Sequence, residues 1–436
     1  QWLVPHFEKM LYDNALLAVA YLEAWQTTAN ADFQRVVNEI LTYTGRDMTS
    51  PEGAFYSATD ADSKNIAGHM EEGWYFTWTP EELEIVLGKE RADIVKKYYA
   101  VEGPPNFEGR YIFHTPKNRT DIAAELHMSK DNLTAVIEES KKLLFRERNK
   151  RPAPLRDEKI LTAWNALMIS AFARAGLAFG NSAYTLQAKT AARFILDHLY
   201  INGRLYRSYK DGQARHNGFL EDYAFFIAAL VDLYEADHDI WWLKKALALD
   251  DVLKKFYEDL ENGGFFTTGT DHEALIAREK PFYDGATPSG NAVAALNLLR
   301  LYSYTTDDQF RRRVKNLFKA FCQRLTDTPS ALSEMLLAMD YYFDTPAEII
   351  LITPPENPDA AMPFLDKFRE QFIPNRILVA ADEKQAAANA EIIPLAAGKK
   401  AAHGRATAYV CESGTCSLPA ETPEEFVSRL LRDGTA

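Results

Sequence analysis

Four stretches of this chain align without gaps: Asn14-Ala-Leu-Leu-Ala-Val-Ala-Tyr-Leu, Asn165-Ala-Leu-Met-Ile-Ser-Ala-Phe-Ala, Tyr223-Ala-Phe-Phe-Ile-Ala-Ala-Leu-Val and Asn291-Ala-Val-Ala-Ala-Leu-Asn-Leu-Leu. Each opens on a polar or aromatic residue, continues with Ala and runs into an apolar stretch. A helix that is apolar on nearly every side is surrounded by other helices. The intervals from 165 to 223 and from 223 to 291 each span one helical hairpin plus a loop. The longer interval, from 14 to 165, leaves room for an insertion.

Periodic helical hairpins make either a solenoid or a closed ring. Here one helix of each pair is apolar around most of its surface and the other is amphipathic. That pattern predicts an inner row of helices sheathed by an outer one, a mainly α toroid. Inner starts at about 5, 160, 218, 288 and 329 make five. Six would close a ring of the usual kind, and sequence preceding this chain would supply one.

Composition agrees with a globular chain: 436 residues, 47% hydrophobic and 25% charged. The net charge of −13, from 62 acidic against 49 basic residues, argues against a general nucleic-acid binder and suits neutral or cationic small ligands. Three cysteines are too few for a disulfide framework. No secretory signal and no apolar stretch of ~20 residues is visible, so no membrane partner is expected and a cytoplasmic location is.

Taken in order, residues 5–28 and 31–45 read as the first hairpin. Residues 51–128 interrupt it. Ala54–Ser57 and Trp74–Trp78 alternate and are aromatic, which predicts two short strands. Thr79-Pro80-Glu81-Glu82 is a helix start with a capping box, and 129–148 is a charged helix. Hairpins resume from 155, with a strand and turn at 203–212. The composition shifts near Pro346. Strands at 348–353 and 376–380 flank a helix at 358–371, the order of a βαβ unit, and 408–411 adds a strand. The expected organisation is therefore a toroid over 1–345, incomplete at its N-terminus, and a small α/β region over 346–436.

Val4-Pro-His-Phe-Glu-Lys-Met-Leu-Tyr-Asp-Asn14, Asp60-Ala-Asp62-Ser with Glu72-Gly73, Lys159-Ile-Leu-Thr-Ala-Trp-Asn165, Gly218-Phe-Leu-Glu-Asp-Tyr223 and Pro288-Ser-Gly-Asn291 occur in this order along the chain. In these motifs the chain resembles the YyaL-type family, which includes the spermatogenesis-associated thioredoxin-like protein. The resemblance implies an (α/α)6 toroid of the six-hairpin glycosidase type, similar also to N-acylglucosamine 2-epimerases, and a carbohydrate-like ligand. Family members also carry an N-terminal thioredoxin-like domain. This chain does not contain it, so that domain becomes a candidate partner.

Candidate site residues cluster at inner-helix starts. Glu221 and Asp222 are two carboxylates at one such start, suited to acid–base work on a glycosidic bond. They point ~100° apart, so at most one faces a cavity. Asp60 would pair with one of them across a pocket, and His6, with a pKa near neutrality, is a further acid–base candidate. Trp74, Trp164 and Tyr223 offer flat faces for sugar stacking. Asp13, Asp62, Asn165, Asp284, Ser289 and Asn291 are candidate partners for ligand hydroxyls. Each has a structural reading beside the functional one: helix capping for Glu221 and Asp222, an Asx-turn for Asp60, a hydrogen-bonded structural His6, core packing for the aromatics, and loop closure for the asparagines. No metal and no cofactor is implied. Cys411 and Cys416, with four residues between them, match neither a zinc knuckle nor a thioredoxin-type pair and read as two thiols near one turn. The expected function is binding of a carbohydrate-like small molecule, with hydrolysis or epimerisation. The alternative is a non-catalytic binding or scaffold domain of a thioredoxin-like redox protein.

Overall fold

The computed structural model describes residues 4–431. Its elements in chain order begin with β1 (Lys9–Met10), α1 (Leu11–Thr28), α2 (Ala31–Asp47), β2 (Ala58–Thr59), β3 (Asp62–Lys64) and β4 (Met70–Glu72). Then come α3 (Pro80–Leu87), α4 (Lys89–Tyr98), α5 (Arg119–Glu125), α6 (Lys130–Arg148), β5 (Arg156–Asp157), β6 (Ile160–Leu161), α7 (Thr162–Phe179) and α8 (Ser182–His198). β7 (Tyr200–Ile201), β8 (Arg204–Lys210), β9 (Gln213–Asn217), α9 (Leu220–Asp237), α10 (Ile240–Phe256), α11 (Gly290–Thr305), α12 (Asp308–Asp327) and α13 (Ser333–Phe343) follow. The last are β10 (Ala347–Thr353), α14 (Met362–Arg369), β11 (Arg376–Asp382), α15 (Glu383–Ala388), β12 (Thr407–Glu412), β13 (Thr415–Cys416) and α16 (Pro423–Leu430).

Two compact units result. One comprises residues 4–10 and 58–158, the other residues 11–57 and 159–431. In the larger unit α1, α7, α9, α11 and α13 form an inner row in which each packs on the next, and α2, α8, α10 and α12 each pack on the inner helix that precedes them. This is the mainly α hairpin architecture expected from the repeat. The outer helices are amphipathic: α12 buries Phe310, Val314, Leu317 and Phe321 and exposes Arg311, Arg312 and Lys315. α7, α9 and α11 are buried nearly throughout. α1 and α13, at the ends of the row, expose Leu17 and Leu337, so the apolar circumference of α1 is only partly covered.

The hairpins share two devices. At each inner-to-outer turn one residue takes positive φ (Ala29 54°, Gly180 62°, His238 60°, Thr306 55°). The next residue, Asn30, Asn181, Asp239 or Asp307, caps the outer helix by accepting an N–H two residues on. A short polar side chain beside a left-handed turn satisfies one of the donors that a helix start leaves open. The second device ties the return loop to the following inner helix. Asn165 Oδ1 accepts from Phe55 N (2.8 Å), and its Nδ2 donates to Phe55 O (2.9 Å) and Leu161 O (3.0 Å). Asn291 does the same with Phe265 N and O and with Pro281 O. At the corresponding place Tyr223 OH accepts from Leu205 N at 2.8 Å.

The α/β region begins where composition shifts. β10 and β11 are parallel, β12 runs antiparallel to β10, and β13 antiparallel to β12. One face packs Ile349, Leu351 and Leu378 against Phe364 and Phe368 of α14 and Phe426 of α16. The other puts Ile350, Ile352, Ile377 and Val379 into the core of the helix row. Arg376 reaches Glu235 near the C-terminal end of α9 (3.2 Å) and Leu378 O accepts Tyr304 OH of α11, so the sheet packs on the C-terminal ends of α9 and α11 and forms one unit with the helix row.

The smaller unit differs from expectation in detail. The first helix starts at Leu11 rather than near 5, because Lys9–Met10 pairs with Ala58–Thr59 as β-strand. The aromatic stretches are not strands. Trp78 pairs with Tyr111 as an isolated bridge, as Phe55 does with Thr49 in the larger unit. The strands lie in the polar segments beside them, where β3 pairs with β4. The capping box of α3 is present: Thr79 Oγ1 accepts from Glu82 N and Glu82 Oε2 from Thr79 N. This unit runs to Glu158, past the limit read at 128, because α6 closes its core with Leu133, Ile137 and Leu144.

Candidate functional site

The starts of the inner helices are knitted into one register. Tyr12 of α1 meets Trp164 of α7 edge to face, with ring centroids 4.8 Å apart. Asp222 of α9 accepts the N–H of Ala163 of α7 at 3.0 Å. Gly290 of α11 lies so close to α9 that a Cβ there would stand 2.7 Å from Leu220 Cγ. Asp284 accepts Ser289 N (2.7 Å) at the start of α11 and Glu334 N (2.8 Å) at the start of α13.

Around these contacts one strip of each helix stays half-open. On α7 it is Trp164, Leu167, Ser170 and Arg174, at helical spacing. α9 contributes Glu221 and Ala228, α11 Leu296 and Arg300, and α13 Glu334. Farther along the helices charges are paired: Arg174 with Glu23, and Arg300 with Asp232 (2.8 Å) and Glu235 (3.5 Å). The row therefore presents Trp164 and Glu221 at one end and paired charges farther in, and the Glu334 carboxyl feels Glu23 and Arg174 of that inner group.

Glu221 is half-exposed and ion-paired with Arg207 of β8 at 2.7 Å. Asp222 is 1% exposed. Its second oxygen accepts Phe219 N at 2.8 Å, and Arg207 stands 3.6 Å away. Burial pushes its carboxyl up to about 7, with Arg207 pulling the other way and Glu221 adding to the rise. Of the adjacent pair, one faces the opening and the other ties α9 to α7, as their angular separation requires. Glu334 is the carboxyl that sequence reading missed. Burial pushes it up to about 7, helped by Asp284 and Glu23 and opposed by Arg174. It is the second residue of α13, as Glu221 is of α9. Arg207, on a strand, carried no such signal.

Glu334 has a consequence for stability. Its folded pKa lies above the unfolded value of about 4.3. The stability it contributes is fully present below that value and is lost as pH rises through about 7. Wild type should therefore lose, relative to Glu334→Gln, on the order of 3 kcal/mol between pH 4 and 8 in urea unfolding. Asp222 titrates over the same range in both proteins and cancels. Parallel curves would refute the raised carboxyl.

The other candidates fall as follows. Asn165 and Asn291 are fully buried, and their amides are taken up by backbone groups, so loop closure is their role. Tyr223 is likewise in the core, its hydroxyl on Leu205 N, which corrects the stacking role. Ser289 caps α11 by accepting Ala292 N, and both carboxylate oxygens of Asp284 hold backbone N–H groups, so these two shape the rim. Asp13 is exposed, and Trp164 keeps a half-open face. Asp60, Asp62, His6 and Trp74 belong to the smaller unit. There Asp60 accepts Asp62 N in an Asx-turn, and His6 is exposed, its Nδ1 accepting Glu8 N. Trp74 is buried with Arg110 and Arg151 over its ring, which replaces sugar stacking with core packing. Among the described residues no helix is long and apolar enough to cross a membrane.

An inner row of apolar helices, outer amphipathic partners and a rim built from inner-helix starts define the (α/α)6 toroid class, of which the described residues supply five inner helices. In sequence, the chain is similar to spermatogenesis-associated protein 20. It is 34% identical to the human protein and 34% to the mouse protein, over 98% of this chain and 58% of each relative. The chain thus spans a little over half the length of these relatives. No family model matches it. Similar solved structures include a D-mannose isomerase (16% identity, TM-score 0.38, 72% of this chain and 76% of that one). A GH76 alpha-mannanase of Bacteroides thetaiotaomicron is another (11% identity, TM-score 0.41, 72% and 62%).

Proposed function

We propose that the rim of the inner helices binds an uncharged, polyhydroxylated small molecule of the carbohydrate type and acts on it by hydrolysis or epimerisation. What supports this reading is Glu334, whose carboxyl is pushed up to about 7 and whose backbone N–H shares Asp284 with that of Ser289 at the starts of α13 and α11, the end of the row where Trp164 and Glu221 begin α7 and α9. A carboxyl that keeps its proton near neutrality can donate it to a leaving oxygen or a ring position. Glycoside hydrolysis uses a second carboxylate in a different environment, and Glu221, ion-paired to Arg207, is the candidate for it. The half-open face of Trp164 suits the C–H face of a pyranose.

A thermal-shift panel of neutral mono- and disaccharides tests the binding. Ligand at 100 times its Kd adds about 2.7 kcal/mol to stability, and Trp164→Ala should remove that gain. If a sugar is turned over, Glu334→Gln should lower kcat by about 10²–10⁴ while leaving binding in place. Release of a reducing end identifies hydrolysis, and inversion at one carbon identifies epimerisation. A panel without any shift would sink the carbohydrate reading and favour a non-catalytic binding domain.

A further inference from the structure

Cys411 and Cys416, read from spacing as two thiols near one turn, form a disulfide across the hairpin of β12 and β13. β12 lies between β10 and β13, and Cys411 is the direct cross-strand partner of both Glu348 and Cys416. Directly opposed residues of antiparallel strands point to the same face of the sheet. Glu348, Cys411 and Cys416 therefore make one row. Cys411 is 1% exposed, whereas Cys416 is open to solvent. Lys399 Nζ stands 3.2 Å from Cys416 Sγ. Glu348 is itself buried, and its Oε2 accepts Gly414 N, at the hairpin tip, at 3.2 Å. A cavity of about 340 Å³ adjoins the hairpin, lined by Glu348, Ser413 and Gly414 together with Arg311 and Tyr342.

We propose that Cys411–Cys416 is a thiol–disulfide exchange site that accepts electrons from a dithiol, with Glu348 and Lys399 serving its two sulfurs. In the first step a thiolate of the dithiol attacks the exposed Cys416 Sγ. A mixed disulfide forms, the Cys411–Cys416 bond breaks, and Cys411 leaves with the electron pair. Its thiolate takes a proton from the neighbouring Glu348 carboxyl. In the second step the other thiol of the dithiol, as thiolate, attacks its own mixed-disulfide sulfur and releases Cys416 as thiolate beside the Lys399 ammonium. The dithiol is oxidised to a disulfide and the cysteine pair is reduced by two electrons.

The surroundings fit both steps. Burial pushes the Glu348 carboxyl up, so that it holds a proton more readily than a surface glutamate, although Gly414 N–H and Lys399 oppose this. A cation beside a sulfur favours its thiolate. The adjoining cavity gives the chain that carries the attacking thiol a place to lie.

The test uses dithiothreitol as the dithiol and the exposed free Cys322 as an internal standard. In the native protein, dithiothreitol should reduce the pair at a rate independent of unfolding, read by alkylation and mass spectrometry. Glu348→Gln should slow that reduction about tenfold. In the reduced protein at pH 7, iodoacetamide should modify Cys416 about ten times faster than Cys322. Lys399→Met should bring Cys416 down to the rate of Cys322, and Lys399→Arg should keep it fast. A pair that opens only at the rate of global unfolding would overturn the proposal, as would a Cys416 no faster than Cys322. These readouts do not involve the rim of the helix row, so their failure leaves the carbohydrate reading untouched.

Discussion

Asn291→Ala is expected to lower the free energy of unfolding by about 3 kcal/mol or more, and Asn165→Ala by a similar amount, measured by urea titration. Each asparagine is fully buried and is the partner of a buried backbone N–H and two carbonyls. Removing the amide leaves those groups in the core with nowhere to turn, and each unsatisfied buried group costs about 1–3 kcal/mol. Asparagines that served a ligand instead would give small changes in stability and large ones in affinity. The two substitutions should add when combined, since they close different loops. A cost below ~1 kcal/mol for either would show that its loop relaxes to water, and the repeat would lose its physical explanation.

Arg313→Met should cost about 3–5 kcal/mol. Arg313 of α12 is 9% exposed and bridges Asp250 of α10 (2.5 Å) and Glu258 (2.8 Å). Burial already pushes both carboxyls up, and Arg313 opposes it. Without the guanidinium two carboxylates remain buried and unpaired. Groups whose folded pKa is raised stabilise below their unfolded pKa and lose that stability as pH rises. The deficit of the variant should therefore shrink as pH falls towards 4. Adding Asp250→Asn and Glu258→Gln should recover most of it at pH 7. A deficit independent of pH would point to lost packing of the arginine stem rather than to charge.

Much of this arrangement is legible in the sequence. The apolar circumference of Lys159–Gly180 and of 218–236 announces inner helices, because only surrounded helices dispense with a polar face. The equal placement of Asn165, Tyr223 and Asn291 marks a shared register. Reading those residues as ligand partners went astray because an amide suits a sugar hydroxyl and a backbone loop equally well, and the loops that consume it lie far away in sequence. Phe55 is such a case for Asn165. Trp74 shows the same limit: an aromatic residue in a strand-like stretch can stack on a ligand or on two arginines, and the arginines were invisible to local pattern. Glu334 escaped notice because its character comes from burial beside Asp284 rather than from any motif.

The sequence by itself determined the class of fold: hairpin period, inner and outer helices, and the break into an α/β region near Pro346. Periodicity and capping are local properties, written within a few turns of chain. The tertiary structure alone decided the chemistry of the rim and the hairpin. It assigned Glu221 to Arg207, buried Asp222 against α7, desolvated Glu334, and set Cys411 between Glu348 and Cys416. The physical reason is that a side chain's charge state and partners depend on what surrounds it in space. Those neighbours come from distant parts of the chain that only packing brings together.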